Sequence, residues 1–146
     1  MDLLSLLNEN ARLTNAQLAV MLGKTEEEVE KEIADYQQKG IIKGYKALIN
    51  WEKVDHHKTT ALIELKVQPK KESGFDEIAK KIMQFSKVES VYLMSGGFDL
   101  AVMVHGDSIQ DIAMFVAKRL SPLDSVLSTA THFILTRYKE GDVILT

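Results

Sequence analysis

The chain of 146 residues contains no cysteine, which removes disulfides, thiolate nucleophiles and Cys-based zinc sites together. Its four histidines, His56, His57, His105 and His132, are scattered along the sequence. Zinc needs three or four converging ligands, so neither a metal nor another cofactor is expected. Only two prolines are present, alongside 45% hydrophobic and 27% charged residues, a makeup that excludes low-complexity disorder and calls for a packed core. Long apolar runs are missing too. None approaches the ~20 residues that cross a bilayer, and the start Met1-Asp2-Leu3-Leu4-Ser5 lacks the basic flank of a signal peptide, so a cytoplasmic protein with no membrane attachment is expected. There is no basic excess: 18 Lys and Arg face 21 Asp and Glu, a net charge of −3, and contact with a polyanion would require a local basic patch. Finally, no Walker loop, no GxGxxG before a helix, no HExxH and no Ser-His-Asp order occurs. An enzyme using His105 or His132 as general base has no carboxylate spacing to support it, and no catalytic residue is assigned.

What is present reads as two small domains, since roughly 100–200 residues suffice for one domain or two sharing an interface. From Met1 to Gly40 the pattern is helical. Thr14-Asn15-Ala16-Gln17 and Thr25-Glu26-Glu27-Glu28 both match the capping box, in which the threonine oxygen takes a free N–H and the fourth side chain reaches back. Three short helices follow: Leu3, Leu4, Leu6 and Leu7 form one, Ala16, Leu18, Ala19 and Leu22 a second, and Val29, Ile33 and Tyr36 the inner face of a third. Gly23 allows the reversal between the second and third, giving a helix-turn-helix outline. Ile41 to Ile49 reads as an extended connecting strand, so residues 1–50 form the first domain and 51–57 a hinge.

Beyond the hinge the period becomes two. Ala61, Ile63, Leu65 and Val67 form one apolar face of a strand. A helix opens at Ser73 and carries Phe75, Ile78, Ala79, Ile82 and Met83. Val88 to Met94 and Phe98 to Val104 read as a hairpin turning at Ser95-Gly96-Gly97. Ser108 and Asp111 cap a further helix with Ile109, Ile112, Ala113, Val116 and Leu120, and Val126 to Tyr138 is a last long strand. The order β-α-β-β-α-β over residues 58–146 is that of the ferredoxin-like split βαβ arrangement, four antiparallel strands with two helices on one side. The fold class is α+β. The sheet's other face is left uncovered within one chain and is expected to meet a second copy.

In their order and spacing, Asn10-Ala11-Arg12-Leu13-Thr14-Asn15 with Leu18-Ala19 and Gly23, then Gly40 to Ala47, then Gly96-Gly97-Phe98-Asp99, then Val126, Thr129, Thr131 and Leu135 resemble the Lrp/AsnC (feast/famine) family of transcriptional regulators over almost the whole chain. The resemblance implies a DNA-binding N-terminal part. It also implies a RAM-type C-terminal part that dimerises, builds octamers from dimers and binds a small-molecule effector, often an amino acid, between subunits. Gly96, Gly97, Phe98 and Asp99 correspond to the effector loop; a carboxylate there pairs with an ammonium, and Thr129 and Thr131 on the last strand supply hydroxyl donors. The family often has a polar residue where this chain has Gly97.

The third helix departs from the family in charge. Between Thr25 and Gly40, Lys31 and Lys39 face Glu26, Glu27, Glu28, Glu30, Glu32 and Asp35, a net of −4 from two against six. Glu30 and Glu32 stand where the family commonly has arginines. Such a helix repels DNA, leaving Lys24, Thr25, Lys31, Lys43 and Lys46 as the candidate DNA contacts. Two readings follow: a regulator with weakened DNA binding, or an amino-acid-binding partner module that acts through mixed oligomers with a related regulator.

Overall fold

In the computed structural model, which describes residues 1–146, three helices open the chain, each starting where a side chain satisfies its free N–H groups. Asp2 Oδ1 accepts from the Ser5 N–H at 2.9 Å and begins α1 (Leu3–Glu9). That N–H holds the Asp2 carboxyl below its ordinary range. Thr14 and Gln17 form the complete reciprocal box of α2 (Asn15–Leu22), with bonds of 3.1 and 2.9 Å. Thr25 begins α3 (Glu26–Gln38) by accepting from Glu28 N at 3.1 Å; the return bond expected from Glu28 is not made, so the second box is half complete. Gly23 ends α2 at φ 65°, the left-handed conformation that a tight helix-to-helix turn uses.

Leu3, Leu6, Leu7, Leu18, Ala19 and Val29 form the core of these helices, with Leu13, Leu22, Ile33, Tyr36 and Ile42 packed around it. Ala16 lies in α2 as expected and is exposed: it stands two positions before Leu18, about 200° around the helix. The connecting strand expected over residues 41–49 is not a strand. Ile41 and Ile42 both donate to Tyr36 O, and residues 43–49 are exposed with no ladder. An extended sequence becomes a strand only with a neighbour to pair with, and one chain offers none here.

The chain divides into two compact units, Met1–Leu48 and Ile49–Thr146. The second begins with a 3₁₀ turn at Trp51–Lys53. Its main sheet contains β1 (Thr59–Val67), β2 (Val88–Leu93), β3 (Leu100–Gly106) and β4 (Val126–Phe133) in the order β2-β3-β1-β4, antiparallel throughout. α4 (Asp76–Ile82) follows β1, and α5 (Ile109–Phe115) follows β3 and runs into a π-helical turn at Val116–Leu120. This is the βαββαβ arrangement. The inner face presents Ala61, Ile63, Leu65 and Val67 from β1 and Leu100, Val102 and Val104 from β3 to Ile78, Ile82, Ile112, Phe115, Val116 and Leu120 from the helical side. Each of the larger side chains contributes about 2 kcal/mol by leaving water. Met83, expected within α4, follows its last residue and is exposed, and the helix starts at Asp76, not Ser73.

Two strand expectations are corrected. The β2–β3 connection is a six-residue loop, Met94–Asp99, closed by Met94 N donating to Asp99 O at 2.8 Å; β3 starts at Leu100, not Phe98. Gly97 does not take a positive φ, so the turn does not depend on a glycine pair. The last strand ends at Phe133, not Tyr138. A separate hairpin follows, β5 (Lys139–Glu140) with β6 (Val143–Ile144), turning at Gly141 (φ 52°) and Asp142 (φ 67°), the paired positive φ values that a two-residue hairpin loop requires. No helix of the molecule is long and apolar enough to cross a membrane.

Candidate functional site

The charge chemistry of the first unit centres on α3. Lys24, in the turn before it, reaches Glu32 at 2.7 Å, and that hydrogen bond raises the lysine's pKa above its ordinary value. Glu32 also accepts from the Tyr36 hydroxyl at 3.3 Å; burial first, then this carboxylate, push the Tyr36 phenol up. Lys31 faces Glu27 at 3.6 Å and Lys39 faces Asp35 at 2.8 Å. Every lysine on or just before α3 is therefore spoken for by a carboxylate of the same helix. Thr25 is the N-cap, its oxygen occupied by Glu28 N. Lys43 and Lys46 are exposed on the segment after the helix and have no carboxylate within 4 Å.

The structure revises the reading of the two glutamates. Glu30 is exposed and rims an open groove of about 420 Å³ with Leu7, Leu13, Ile33 and Tyr45. Glu32 is half-buried and is a clamp on Lys24 and Tyr36, not a free repelling charge. Arg12, exposed and without a carboxylate partner, was not among the sequence candidates. Its signal was available, because Arg12 lies in the loop before the Thr14 cap, outside the helices. The unit carries six basic against eight acidic residues over Met1–Leu48.

In the second unit, the loop from Ser95 to Phe98 stands at the end of the sheet, and Asp99 ties it down. Asp99 N donates to Leu65 O at 2.9 Å, Asp99 O accepts from Met94 N, and Asp99 Oδ2 accepts from Val67 N at 2.9 Å. The carboxylate continues the β1–β3 ladder past its last backbone pair, Leu65 with Leu100. One of its oxygens is thereby committed to the fold. Gly96 and Gly97 have nothing within 4 Å of where a Cβ would stand, so both are open to an approaching molecule, and Phe98 is half-buried.

Thr129 and Thr131 pair with Leu65 and Ile63 and so share the face that carries those core residues, both half-buried at the sheet edge. Since β4 lies on the far side of β1 from β3, Thr129 is two strand spacings, about 10 Å, from Asp99. The four loop residues come together; the two threonines do not join them on one surface within a single chain.

The open sheet face carries Leu62, Met103, Ala101, Tyr92 and Ala130 among polar residues. His132 Nε2 lies 3.4 Å from Glu64 and His105 Nδ1 3.1 Å from Glu89 on the neighbouring strand. His57 Nδ1 faces Val54 O, and no three His, Asp or Glu residues are grouped as metal ligands.

Residues 60–144 match the family model of the Lrp/AsnC ligand binding domain. The chain is 48% identical to the uncharacterised HTH-type transcriptional regulator YugG of Bacillus subtilis, over 99% of this chain and 89% of that protein. Its fold is similar to that of the transcriptional regulator NMB0573 of Neisseria meningitidis, solved with L-methionine (TM-score 0.73, 22% identity, 92% of this chain and 86% of that one). It is also similar to the feast or famine regulatory protein Rv3291c of M. tuberculosis, likewise complexed with L-methionine (TM-score 0.75, 23% identity, 94% and 90%). At these identities the structural likeness speaks for the fold.

Proposed function

The chain belongs to the Lrp/AsnC family of transcriptional regulators, and from that premise we propose that it senses a free amino acid beside the Ser95–Asp99 loop and binds DNA weakly. It is a regulator and not an enzyme. The observation that carries the DNA half is the pairing of Lys24, Lys31 and Lys39 with α3 carboxylates. Nucleic-acid affinity rises with the number of phosphates a protein neutralises. The stretch from Thr25 to Gly40, with a net of −4 and no unpaired cation, neutralises none, which leaves Arg12, Lys43 and Lys46, residues that position a backbone without reading bases.

For the effector, the open glycine positions and the free Asp99 Oδ1 offer what a zwitterion needs at its ammonium end. Relatives of the same fold were solved with L-methionine, which favours an amino acid over other small molecules. Since Thr129 is about 10 Å from Asp99 in one chain and Thr131 lies two residues further along the strand, they take part only if a second copy brings its strand to the loop. We assign a dimerising copy to the open sheet face, whose Leu62, Met103 and Tyr92 need cover; Thr129 and Thr131 lie on the opposite face, so a copy that brings them to a loop belongs to the further step, to octamers. The test is thermal melting with each of the twenty amino acids: a ligand at 100 times its dissociation constant stabilises the folded state by about 2.7 kcal/mol. Absence of any shift refutes amino-acid sensing.

The acidic α3 equally favours a second reading, a partner module that enters mixed oligomers with a related regulator and lowers its DNA affinity. A gel shift at moderate salt separates the two: the first reading gives a weak shift by the protein alone, the second gives none.

A further inference from the structure

The C-terminal residues do something that neither the sensing loop nor α3 requires. β4 does not simply end at Phe133. Ile134 N continues the ladder by donating to Thr60 O at 3.0 Å, and three positions on, Arg137 N donates to the Glu52 carboxylate at 3.2 Å. The chain then forms the β5–β6 hairpin, whose ladder is extended by Leu145 N donating to Tyr138 O at 2.9 Å. At its far end, Leu145 O accepts from Asn50 Nδ2 at 3.1 Å. Asn50 and Glu52 flank Trp51 in the 3₁₀ turn with which the second unit begins, a turn closed by Lys53 N to Asn50 O and Val54 N to Trp51 O, both 3.1 Å.

A two-stranded hairpin has little stability of its own in water, and this one has mostly exposed side chains, including Tyr138, Val143 and Ile144. The two side-chain bonds to the turn are therefore a large part of what fixes it. Asn50 Oδ1 is buried without a donor, a cost that offsets part of what the Nδ2 bond contributes.

We propose that the C-terminal hairpin is a strap closed on Asn50 and Glu52, so that the 3₁₀ turn and the tail order and loosen as one unit. The strap sits where the chain enters the second unit, and β4, which carries Thr129 and Thr131, leads directly into it. On this proposal a disturbance of β4 reaches the 3₁₀ turn through the strap. The strap is a property of the fold and stands whether or not an amino acid binds at the Ser95–Asp99 loop.

The experiment is residue-resolved amide hydrogen exchange on the full-length protein. The double substitution Asn50→Ala with Glu52→Ala should speed exchange at Arg137 and Leu145 by about tenfold, the scale of one lost hydrogen bond, while Ile63 in the core of β1 is unchanged. Since coupling is reciprocal, Val143→Pro, which breaks the hairpin from the tail side, should speed exchange at Lys53 and Val54 by a similar factor. If the double variant is globally destabilised, Ile63 will show it, and the Val143→Pro arm decides alone. Unchanged exchange at Lys53 and Val54 in Val143→Pro would overturn the proposal, as would unprotected Arg137 and Leu145 amides in the wild type.

Discussion

Asp99 Oδ2 accepts the Val67 N–H at 2.9 Å, which makes the carboxylate nearest the glycine loop a piece of the sheet as well as a candidate ligand contact. Its other oxygen is free for an ammonium. Replacing Asp99 by alanine therefore does two things at once. It should lower stability by about 1–2 kcal/mol, the worth of a partly exposed hydrogen bond to a charged acceptor, as read by urea unfolding. Asp99→Asn retains an acceptor for Val67 and should lose less than about 1 kcal/mol. If the free oxygen pairs with an effector, both variants lose the amino-acid-induced melting shift, and the alanine variant loses more stability than the asparagine variant. An Asn variant that keeps the full shift places the ammonium elsewhere.

Gly106 is a position where an added side chain meets its neighbours. A Cβ there would stand 2.7 Å from Asp111 Oδ2 and 2.9 Å from Ile112 Cγ1, and Ile112 belongs to the buried core. Gly106→Ala should destabilise by about 1–3 kcal/mol, as overpacking does. Glycine-to-alanine at Gly97, where nothing lies within 4 Å, should be close to neutral in the same urea melts.

Asp111 gives the protein an acid-sensitive point. Its carboxylate accepts from the Lys87 ammonium and from Asp107 N, and these bonds, the lysine first, hold its pKa below the ordinary 3.8. A depressed carboxylate contributes stability above its unfolded value, and the contribution disappears as pH falls through the lower folded value. Melting temperatures of the wild type should therefore fall below pH 4 more steeply than those of Asp111→Asn, the two curves converging at the acid end. Parallel curves from pH 7 to pH 2 would show that the pair adds nothing to stability.

Much of the fold was legible because periodicity and caps report what a chain does locally. Thr14 with Gln17, Gly23, and the alternation Ala61, Ile63, Leu65, Val67 each lie within a few residues of the feature they specify. What was not legible depends on partners distant in sequence. The segment from Ile41 to Ile49 has strand chemistry, and only the tertiary structure shows that it finds no ladder. The last strand, expected to run to Tyr138, ends at Phe133; Leu135 and Tyr138 are exposed and the backbone turns away toward Glu52. Asp99 was visible as a carboxylate beside two glycines, but its bond to Val67 spans 32 positions. The acidic count of α3 was readable directly; the pairing of Lys24 with Glu32, eight residues apart across a turn, was not.

That pairing changes how the acidic helix should be probed. Glu32→Gln removes the charge that holds Lys24, and Lys24 then becomes available to a phosphate. Affinity for duplex DNA should rise and the salt slope steepen by about 0.9. Glu30→Arg, at an exposed position, should produce a comparable gain without altering the urea midpoint. If Glu32→Gln unfolds at lower urea and gains no affinity, the clamp serves stability alone.

The most direct measurement of the account is fluorescence anisotropy of the wild-type protein with a labelled duplex from its own upstream region across a salt series. With Arg12, Lys43 and Lys46 as the unpaired cations of the first unit, at most three phosphates are neutralised per chain. The slope of log affinity against log salt should be no steeper than about −2.7 per chain, with micromolar or weaker binding at moderate salt. Nanomolar binding with a slope beyond about −5 per chain would contradict it, since the ion-paired lysines of α3 would then be contacting phosphates.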